Sequence, residues 1–270
     1  MRMAAERDPL DVVQLMERHK GNAAIWGVGL QQMGKSDLLE TSVGIASPGG
    51  AAYIRTALET LRVWSKNAWL VAEALGALAT LSSLLAHRKY ILEQDDWLDD
   101  VVERMMMLPQ MTQEVMEINP RGEATRFDIS IPTPKGHLIA IHGCKFISYM
   151  AADASTREYL AEKTLPAIEN CVVSIPDDPV LSHAASMALY NMVFKTEAAH
   201  SVIAPAMTRH VRLLLNELPE GAQEHMVRAI VERTLKVLED PEGWRGRVDV
   251  DGENGQQGYE EEPQGSTLSF

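Results

Sequence analysis

The chain has 270 residues, a formal charge of -13 and 46% hydrophobic residues, of which few are aromatic. Such a length and apolar fraction can bury a large core in one or two domains, and the plentiful Ala, Leu, Met and Val favour closely packed helices over β-sandwiches. The acidity argues against a nucleic-acid partner, because a phosphate backbone is met by a surface rich in Lys and Arg. No apolar run reaches the length of a membrane span, and Met1 to Pro9 lacks the apolar core of a signal peptide.

The chain contains only two cysteines, Cys144 and Cys171. Two are too few for a disulfide framework, and both fall at apolar helical positions, where a free thiol packs as a small hydrophobe. We therefore expect two packed thiols and an intracellular protein, either cytoplasmic or nuclear.

Helical signals dominate the first hundred residues. Asp8 followed by Pro9 is a cap and first-turn signal, which predicts a helix as far as His19. The turn signal at Ser47 to Gly50 precedes another predicted helix. After the first helix, the pattern predicts helices at 23–34, 51–64, 67–82, 87–92 and 97–108.

The helical pattern lapses over an insertion from Pro109 to Lys135. Phe127, Ile129 and Ile131 alternate with polar residues there, which predicts a short extended segment lying against the helices. A loop of this length inside a compact array is usually either functional or disordered, and the sequence leaves both readings open.

Helical patterns resume after the insertion and continue into the last third of the chain. From Asp240 onward aliphatic residues become rare, so the gain from burial cannot offset the entropy of ordering. We expect one domain at residues 8–240 and a disordered acidic tail at 241–270. The helices predicted after the insertion lie at 136–151, 156–160, 165–175, 178–193, 207–218 and 224–239.

Three sixteen-residue segments are copies of one helix: Asn67–Ser82, Gly136–Ala151 and Asp178–Val193. Each opens with a turn or cap residue, has an aliphatic residue at its fourth position and small residues near its eighth and tenth, and closes on a hydrophobic triplet. Their starts are 69 and 42 residues apart, and the second spacing lies within the roughly 40 to 47 residue period of helical repeats. The longer spacing equals one period plus the insertion, so we expect an array of stacked units.

The segments at 73–81, 143–150 and 184–192 resemble the third helix of armadillo repeats, and the phrase Ala188 to Met192 is the closest match. The Gly49-Gly50 turn resembles the glycine turn before the second helix of such repeats. HEAT-type arrays share the same apolar pattern. The resemblance spans about residues 8–240 and implies an all-α, right-handed armadillo-like superhelical solenoid of four to five repeats, whose third helices line a concave groove for extended peptides or partner proteins.

The resemblance also implies which residues face that groove. By position they are Gly76 with Thr80, Lys145 with Tyr149, and Met187 with Asn191. Nuclear-import adaptors of this kind place a Trp four residues before an Asn in successive third helices. Here only Asn191 fits, so a clamp for basic peptides is largely absent, although the net acidity would attract a basic partner. In the first repeat, offsets of 45 and 48 residues stay open.

Candidate chemical sites have simpler structural explanations. His137 and His142 are five residues apart and His142 and Cys144 two apart, and neither spacing joins metal ligands on one helical face. The acidic residues Asp95, Asp96, Asp99 and Asp100 flank a helix start, where carboxylates act as caps.

Two other features are weighed in the same way. Gly27 and Gly29 follow no strand and sit in a predicted helix, so they form no phosphate loop. Met105, Met106 and Met107 cannot all face one direction, so at least one is expected in the core, and the others could contact a partner.

The sequence therefore predicts a non-catalytic protein-binding scaffold or adaptor. We expect it to bind a protein or an extended peptide, with no cofactor, metal or small-molecule substrate. The alternatives are a structural subunit of a large assembly, an import-type adaptor for basic peptides, and an enzyme with its site in the groove.

Overall fold

The computed structural model describes residues 9–35, 48–118, 124–175 and 178–193, with the isolated positions 232 and 236. The described part is mostly helical, which confirms the all-α class. The predicted helices at 207–218 and 224–239 and the predicted disordered tail lie outside the described residues. Among the described residues, the first helices are α1 (Pro9–Arg18), α2 (Ala23–Met33), α3 (Pro48–Val63), α4 (Ala68–Leu81), α5 (Leu85–Leu92) and α6 (Trp97–Met106).

Two strands and three further helices follow along the chain. They are β1 (Gln110–Ile118), β2 (Ala124–Pro132), α7 (Pro134–Met150), α8 (Arg157–Ser174) and α9 (Pro179–Val193), with a 3-10 turn at Ala154–Thr156 before α8. The sequence predicted a break between residues 160 and 165, and that prediction was wrong. The helix runs through both Thr164 and Pro166, and the Thr164 hydroxyl donates to the Leu160 carbonyl oxygen at 2.8 Å within it.

The long helices form two layers. In one layer, here called the inner layer, α2, α4, α7 and α9 pack side by side in that order. In the other layer, here called the outer layer, α1, α3, α6 and α8 pack in order. Each of these helices also contacts the inner helix that follows it in the chain. Apolar side chains fill the space between the layers, including Trp97 and Phe146, whose rings meet edge to face with centroids 5.6 Å apart. Helices that cannot bury their apolar sides alone thus bury them against their neighbours.

Each inner helix begins at a side-chain cap, which satisfies backbone amides that have no partner within the helix. Two of the caps are asparagines in equivalent positions. Asn22 Oδ1 accepts from the amide of Ala24 at 3.1 Å, and Asn67 Oδ1 accepts from that of Leu70 at 3.2 Å. Since both cap neighbouring helices of the inner layer, the offset of 45 residues is the correct one for the first unit.

The caps of α7 and α9 correct one sequence prediction. Asp178 caps α9, because its side chain accepts from the amide of Val180 at 2.9 Å. In α7, by contrast, the cap is Thr133, whose Oγ1 accepts from the amide of Gly136 at 3.1 Å. Gly136 therefore lies inside the first turn of α7, and the helix begins before the predicted end of the insertion.

Two arginines hold the C-terminal ends of α4 and α7 in the same way. The Arg88 guanidinium donates to the carbonyl oxygens of Ser82 and Ser83, which follow α4, at 2.9 Å each. The Arg157 guanidinium donates to the two carbonyl oxygens that follow α7, at 3.0 and 3.1 Å. The arginines are 69 residues apart, and so are the carbonyls that they contact. The two sequence copies that form α4 and α7 therefore also share the same side-chain contacts to their C-terminal backbone carbonyls.

A second pair of contacts repeats with the same spacing. His87 Nδ1 lies 2.9 Å from the carbonyl oxygen of Leu81, and the Thr156 hydroxyl donates to that of Met150 at 2.8 Å. Burial lowers the pKa of Arg88 and of Arg157, and the charge of Asp153 opposes this effect on both. One carboxylate thus lies near both capping arginines.

The insertion forms a β-hairpin. The extended segment predicted around Ile129 is part of β2, and it pairs antiparallel with β1, which the sequence pattern did not predict. The amide of Thr133 donates to the carbonyl oxygen of Pro109 at 2.7 Å and closes the base of the hairpin. That base lies against α7, where Gly136 leaves room for the same carbonyl.

The two thiols lie in the core, as predicted. Cys144 on α7 and Cys171 on α8 are both free and buried. A hydrogen bond with the Cys171 thiol, together with burial, raises the pKa of Cys144 well above its usual range. Cys144 is therefore a protonated, unreactive thiol at neutral pH.

Close contacts between helices require specific glycines. A Cβ at Gly27 on α2 would lie 2.1 Å from a ring carbon of Trp69 on α4. At Gly76, by contrast, the nearest group would be the His142 imidazole at 3.4 Å, which is an ordinary contact. The first glycine lets two helices approach, whereas the second is replaceable.

We expect Gly27→Ala to lower the free energy of unfolding by about 1–3 kcal/mol, because the rigid indole of Trp69 must move. The matched variant Gly76→Ala should raise it by up to about 1 kcal/mol through helix propensity. Urea denaturation of both variants checks this, and equal effects of the same sign would contradict the packing described.

Replacing a capping arginine should also destabilise the protein. Arg157→Met is expected to lower the free energy of unfolding by about 1.5–3 kcal/mol, because two charge-assisted hydrogen bonds to backbone carbonyls are lost. Arg55→Met, on the exposed side of α3, should change it by less than about 0.5 kcal/mol. Thermal or urea unfolding of both variants measures the two changes. An equal loss of stability in Arg157→Met and Arg55→Met would contradict the capping role of Arg157.

Candidate functional site

The inner layer presents one side to solvent, and three of its helices contribute equivalent rows of partly exposed residues. Within each row the spacing is three or four residues, so the members lie on one side of their helix. We call these twelve residues the inner face: Trp69, Glu73, Gly76 and Thr80 on α4; Leu138, His142, Lys145 and Tyr149 on α7; and Val180, His183, Met187 and Asn191 on α9. All six residues predicted for the groove belong to it.

At the α4 end of the inner face, a carboxylate is already hydrogen-bonded. Glu73 Oε1 accepts from the indole Nε1 of Trp69 at 2.9 Å and from the side-chain amide of Gln31 on α2 at 3.0 Å. These bonds link α2 to α4 and fix the Trp69 ring over Gly27. Two neutral donors thus hold the negative charge in place.

On the exposed side of α4, the groups of Gly76 and Thr80 are engaged within α4 or covered by α7. The Thr80 hydroxyl donates to the Gly76 carbonyl oxygen at 3.1 Å, so this donor is used within α4. The His142 imidazole of α7 lies against Gly76. Both residues lie on the predicted face, but Gly76 contributes space and not a binding group.

The α7 part of the inner face carries a positive charge among imidazoles. Burial, followed by the charge of Lys145, lowers the pKa of His142 to about 4, and the charge of Glu73 opposes this shift. Burial and Lys145 likewise lower the pKa of His183 on α9. His142 is therefore neutral at physiological pH, and the shift at His183 acts in the same direction.

The α9 part is held in register with α7 by Asn191. Its side-chain Nδ2 donates to the carbonyl oxygen of Ser148 at 3.0 Å and to the Ser148 hydroxyl at 3.1 Å. The amide hydrogens that would clamp a peptide backbone are thus used between helices. Met187 lies one turn before Asn191 and is half-buried, while Tyr149 on α7 is 41% exposed.

The other chemical candidates do not assemble into a site. Cys144 is packed in the core, as the sequence analysis expected, and His142 lies on the inner face. His137 does not lie beside His142 and Cys144, because its Nδ1 is 3.3 Å from the carboxylate of Asp178. Within the ranges that the structure describes, no group of three His, Cys, Asp or Glu side chains is placed to hold a metal ion.

The acidic cluster before α6 has a different arrangement from the predicted one. Asp96 occupies the N-cap position with a φ of 57°, but its side chain makes no cap hydrogen bond, so the prediction that it caps the helix was wrong. Asp99 and Asp100 do lie in the first turn, where they favour the helix dipole, and Asp100 pairs with Arg62. A cavity of about 420 Å³ lies beside Asp95 and Asp96 on the outer layer.

Sequence reasoning missed part of the inner face. Glu73, His142 and His183 were not assigned to the groove, although the i, i+3, i+4 spacing from Gly76 and Lys145 would have indicated the first two. This spacing did not indicate His183, because His183 stands one residue before Ala184, which is the position equivalent to His142. Trp69 was not assigned to the groove either, because Glu73 and not an Asn follows it by four residues.

No family model matches the sequence, and comparisons with curated proteins and with solved structures give no significant match. Among the described residues, no helix has both the length and the apolar character that spanning a bilayer requires.

The lowered pKa of His142 predicts a pH-dependent loss of stability. An unfolded chain takes up a proton at this imidazole near pH 6.5, whereas the folded protein does so only near pH 4. The free energy of unfolding should therefore fall as the pH is lowered through this window, by at most about 3 kcal/mol relative to His142→Gln. Urea denaturation at pH 7 and pH 4.5 measures the effect.

The control for this experiment is His19→Gln, at an exposed position after α1, which should keep the wild-type pH dependence. NMR of the imidazole nitrogens gives an independent reading. A His142 signal that titrates near pH 6.5 would contradict the buried, neutral ring.

Proposed function

We propose that the protein is a non-catalytic scaffold or adaptor that binds a partner protein or an extended peptide along the inner face. The single observation that carries this proposal is the recurrence of partly exposed residues at equivalent positions of α4, α7 and α9. A continuous surface made of such rows suits a ligand that is itself extended, because each helix can contact a successive part of it.

The fold that we propose for this function is a right-handed armadillo-like superhelix in which the inner face is concave. Two observations support it: the order of the helices in two layers, and the backbone contacts of Arg88 and Arg157 at the same spacing as the sequence copies. The proposed location is intracellular, in cytoplasm or nucleus, which suits the two free thiols.

The second candidate function is a structural subunit of a large assembly. One observation favours it: an exposed apolar patch at the end of α6, beside the base of the hairpin. Met105 is buried as expected for one of the three methionines, but Met107 is 66% and Val173 on α8 is 60% exposed. Such a patch fits a permanent neighbour. A subunit would co-purify in fixed stoichiometry, whereas an adaptor would purify alone.

A pulldown with paired variants tests the scaffold proposal. The variant Lys145→Glu with Tyr149→Ala changes two residues of the inner face that lie one turn apart. We expect it to lose most of the proteins that the wild type retains, because a cation and an exposed aromatic ring are removed from the contact surface. Quantitative mass spectrometry of the retained proteins provides the measurement.

The outer layer offers a matched control. Tyr159 and Lys163 on α8 are also exposed and one turn apart, so Lys163→Glu with Tyr159→Ala makes the same chemical change away from the inner face. This control should retain the partners. If both double variants retained every partner, the inner face would not be the binding surface.

A further inference from the structure

The inner face is electrically asymmetric. At its α4 end the Glu73 carboxylate is already hydrogen-bonded by Trp69 and Gln31. At its α7 and α9 end, Lys145 carries a positive charge and forms no ion pair with any described residue. A half-buried charge that no described residue pairs is a charge that a ligand can pair.

Two imidazoles lie near Lys145. The charge of Lys145 acts on both His142 and His183, so its ammonium lies near both rings, and burial favours the neutral form of each. Lys135, near the start of α7, acts on His142 in the same direction, whereas Glu73 opposes it from α4. Positive charge therefore predominates at this end of the inner face.

The imidazole of His183 supplies a second feature. Its Nδ1 is buried and makes no hydrogen bond within the described part of the chain. A buried N–H without an acceptor is rarer and more costly than a lone acceptor nitrogen, so the proton resides on Nε2. In that tautomer the ring is a neutral hydrogen-bond donor beside the Lys145 ammonium.

We propose that the inner face binds an extended acidic peptide, and that a glutamate or aspartate side chain of this peptide pairs with Lys145 between α7 and α9. Tyr149 and Met187 flank this position and contact the apolar neighbours of the acidic residue. The register of the two helices is set by the bond between Asn191 and Ser148, which brings Met187 alongside Lys145. This inference rests on the proposed function and names the partner's chemistry.

The net charge of the chain does not oppose this pairing. The formal charge of -13 acts over the whole molecule, but charges separated by more than about 8 Å are largely screened at physiological ionic strength. The local cation therefore decides which side chain is accepted here. On this face the Glu73 carboxylate already accepts two hydrogen bonds at Oε1, whereas no described residue forms an ion pair with Lys145.

A selection from a random twelve-residue peptide library, displayed on phage, tests the proposal with the full chain. Peptides selected on the wild-type protein should be enriched in Glu and Asp, and those selected on Lys145→Glu should lose this enrichment. The control Lys163→Glu, which makes the same charge change on α8, should select acidic peptides as the wild type does. Circular dichroism of each variant establishes that it is folded.

The strongest selected peptide is then measured by fluorescence polarisation. Replacing its acidic residues by glutamine should weaken binding about tenfold, as expected for one charge-assisted contact. Lys145→Met should weaken the original peptide to a similar extent and leave the affinity of the glutamine peptide unchanged, because both changes remove the same pairing.

The outcomes separate this inference from the function on which it rests. Peptides that require Tyr149 but show no preference for acidic residues would overturn the acidic partner and keep the scaffold. Peptides that still bind Lys145→Glu through acidic residues would overturn the role of Lys145. A selection that yields no peptide dependent on the inner face would overturn both.

Discussion

Side chains that satisfy the backbone at the ends of the inner helices are the constraint on which the rest of the structure depends. An α-helix leaves amides unpaired at its start and carbonyls unpaired at its end, and a layered array brings many such ends close to the core. Here Asn67 supplies the acceptor at the start of α4, and Arg88 supplies the donors at its end. The same arrangement recurs at α7 with Thr133 and Arg157, so the ends of both α4 and α7 are fixed by the residues on either side of them.

Fixed ends make the inner face possible. Although α7 begins before the position equivalent to the start of α4, the two helices end at equivalent points, so residues at equivalent positions come to lie side by side. The bond from Asn191 to Ser148 extends this alignment to α9, where the C-terminal cap lies outside the described residues. A surface of aligned rows is thus a consequence of how the backbone ends are satisfied.

The sequence predicted the parts of this structure that depend on local pattern. Apolar spacing and caps located the helices, and the repeated segments located the inner layer, since both are properties of neighbouring residues. It could not predict β1, whose pairing with β2 depends on contacts across the chain. Nor could it distinguish Gly27, which admits the Trp69 ring, from Gly76, which has ordinary space around it. The six groove residues all lie on the inner face, but the sequence could not show that Asn191 donates to a neighbouring helix or that Glu73 is already hydrogen-bonded.

If the inner face binds an acidic peptide as proposed, its local charges outweigh the composition of the whole chain. The overall acidity suggests a basic ligand, and the sequence analysis kept that alternative open for this reason. In the folded protein, however, Glu73 is hydrogen-bonded by two neutral donors, whereas Lys145 stands among neutral imidazoles. Since a partly buried charge is screened less than charges spread over the surface, we propose that this cation, which no described residue pairs, outweighs the distant carboxylates at the point of contact. On this proposal, the chemistry that the surface selects is set by the charged groups for which the described part of the fold supplies no partner.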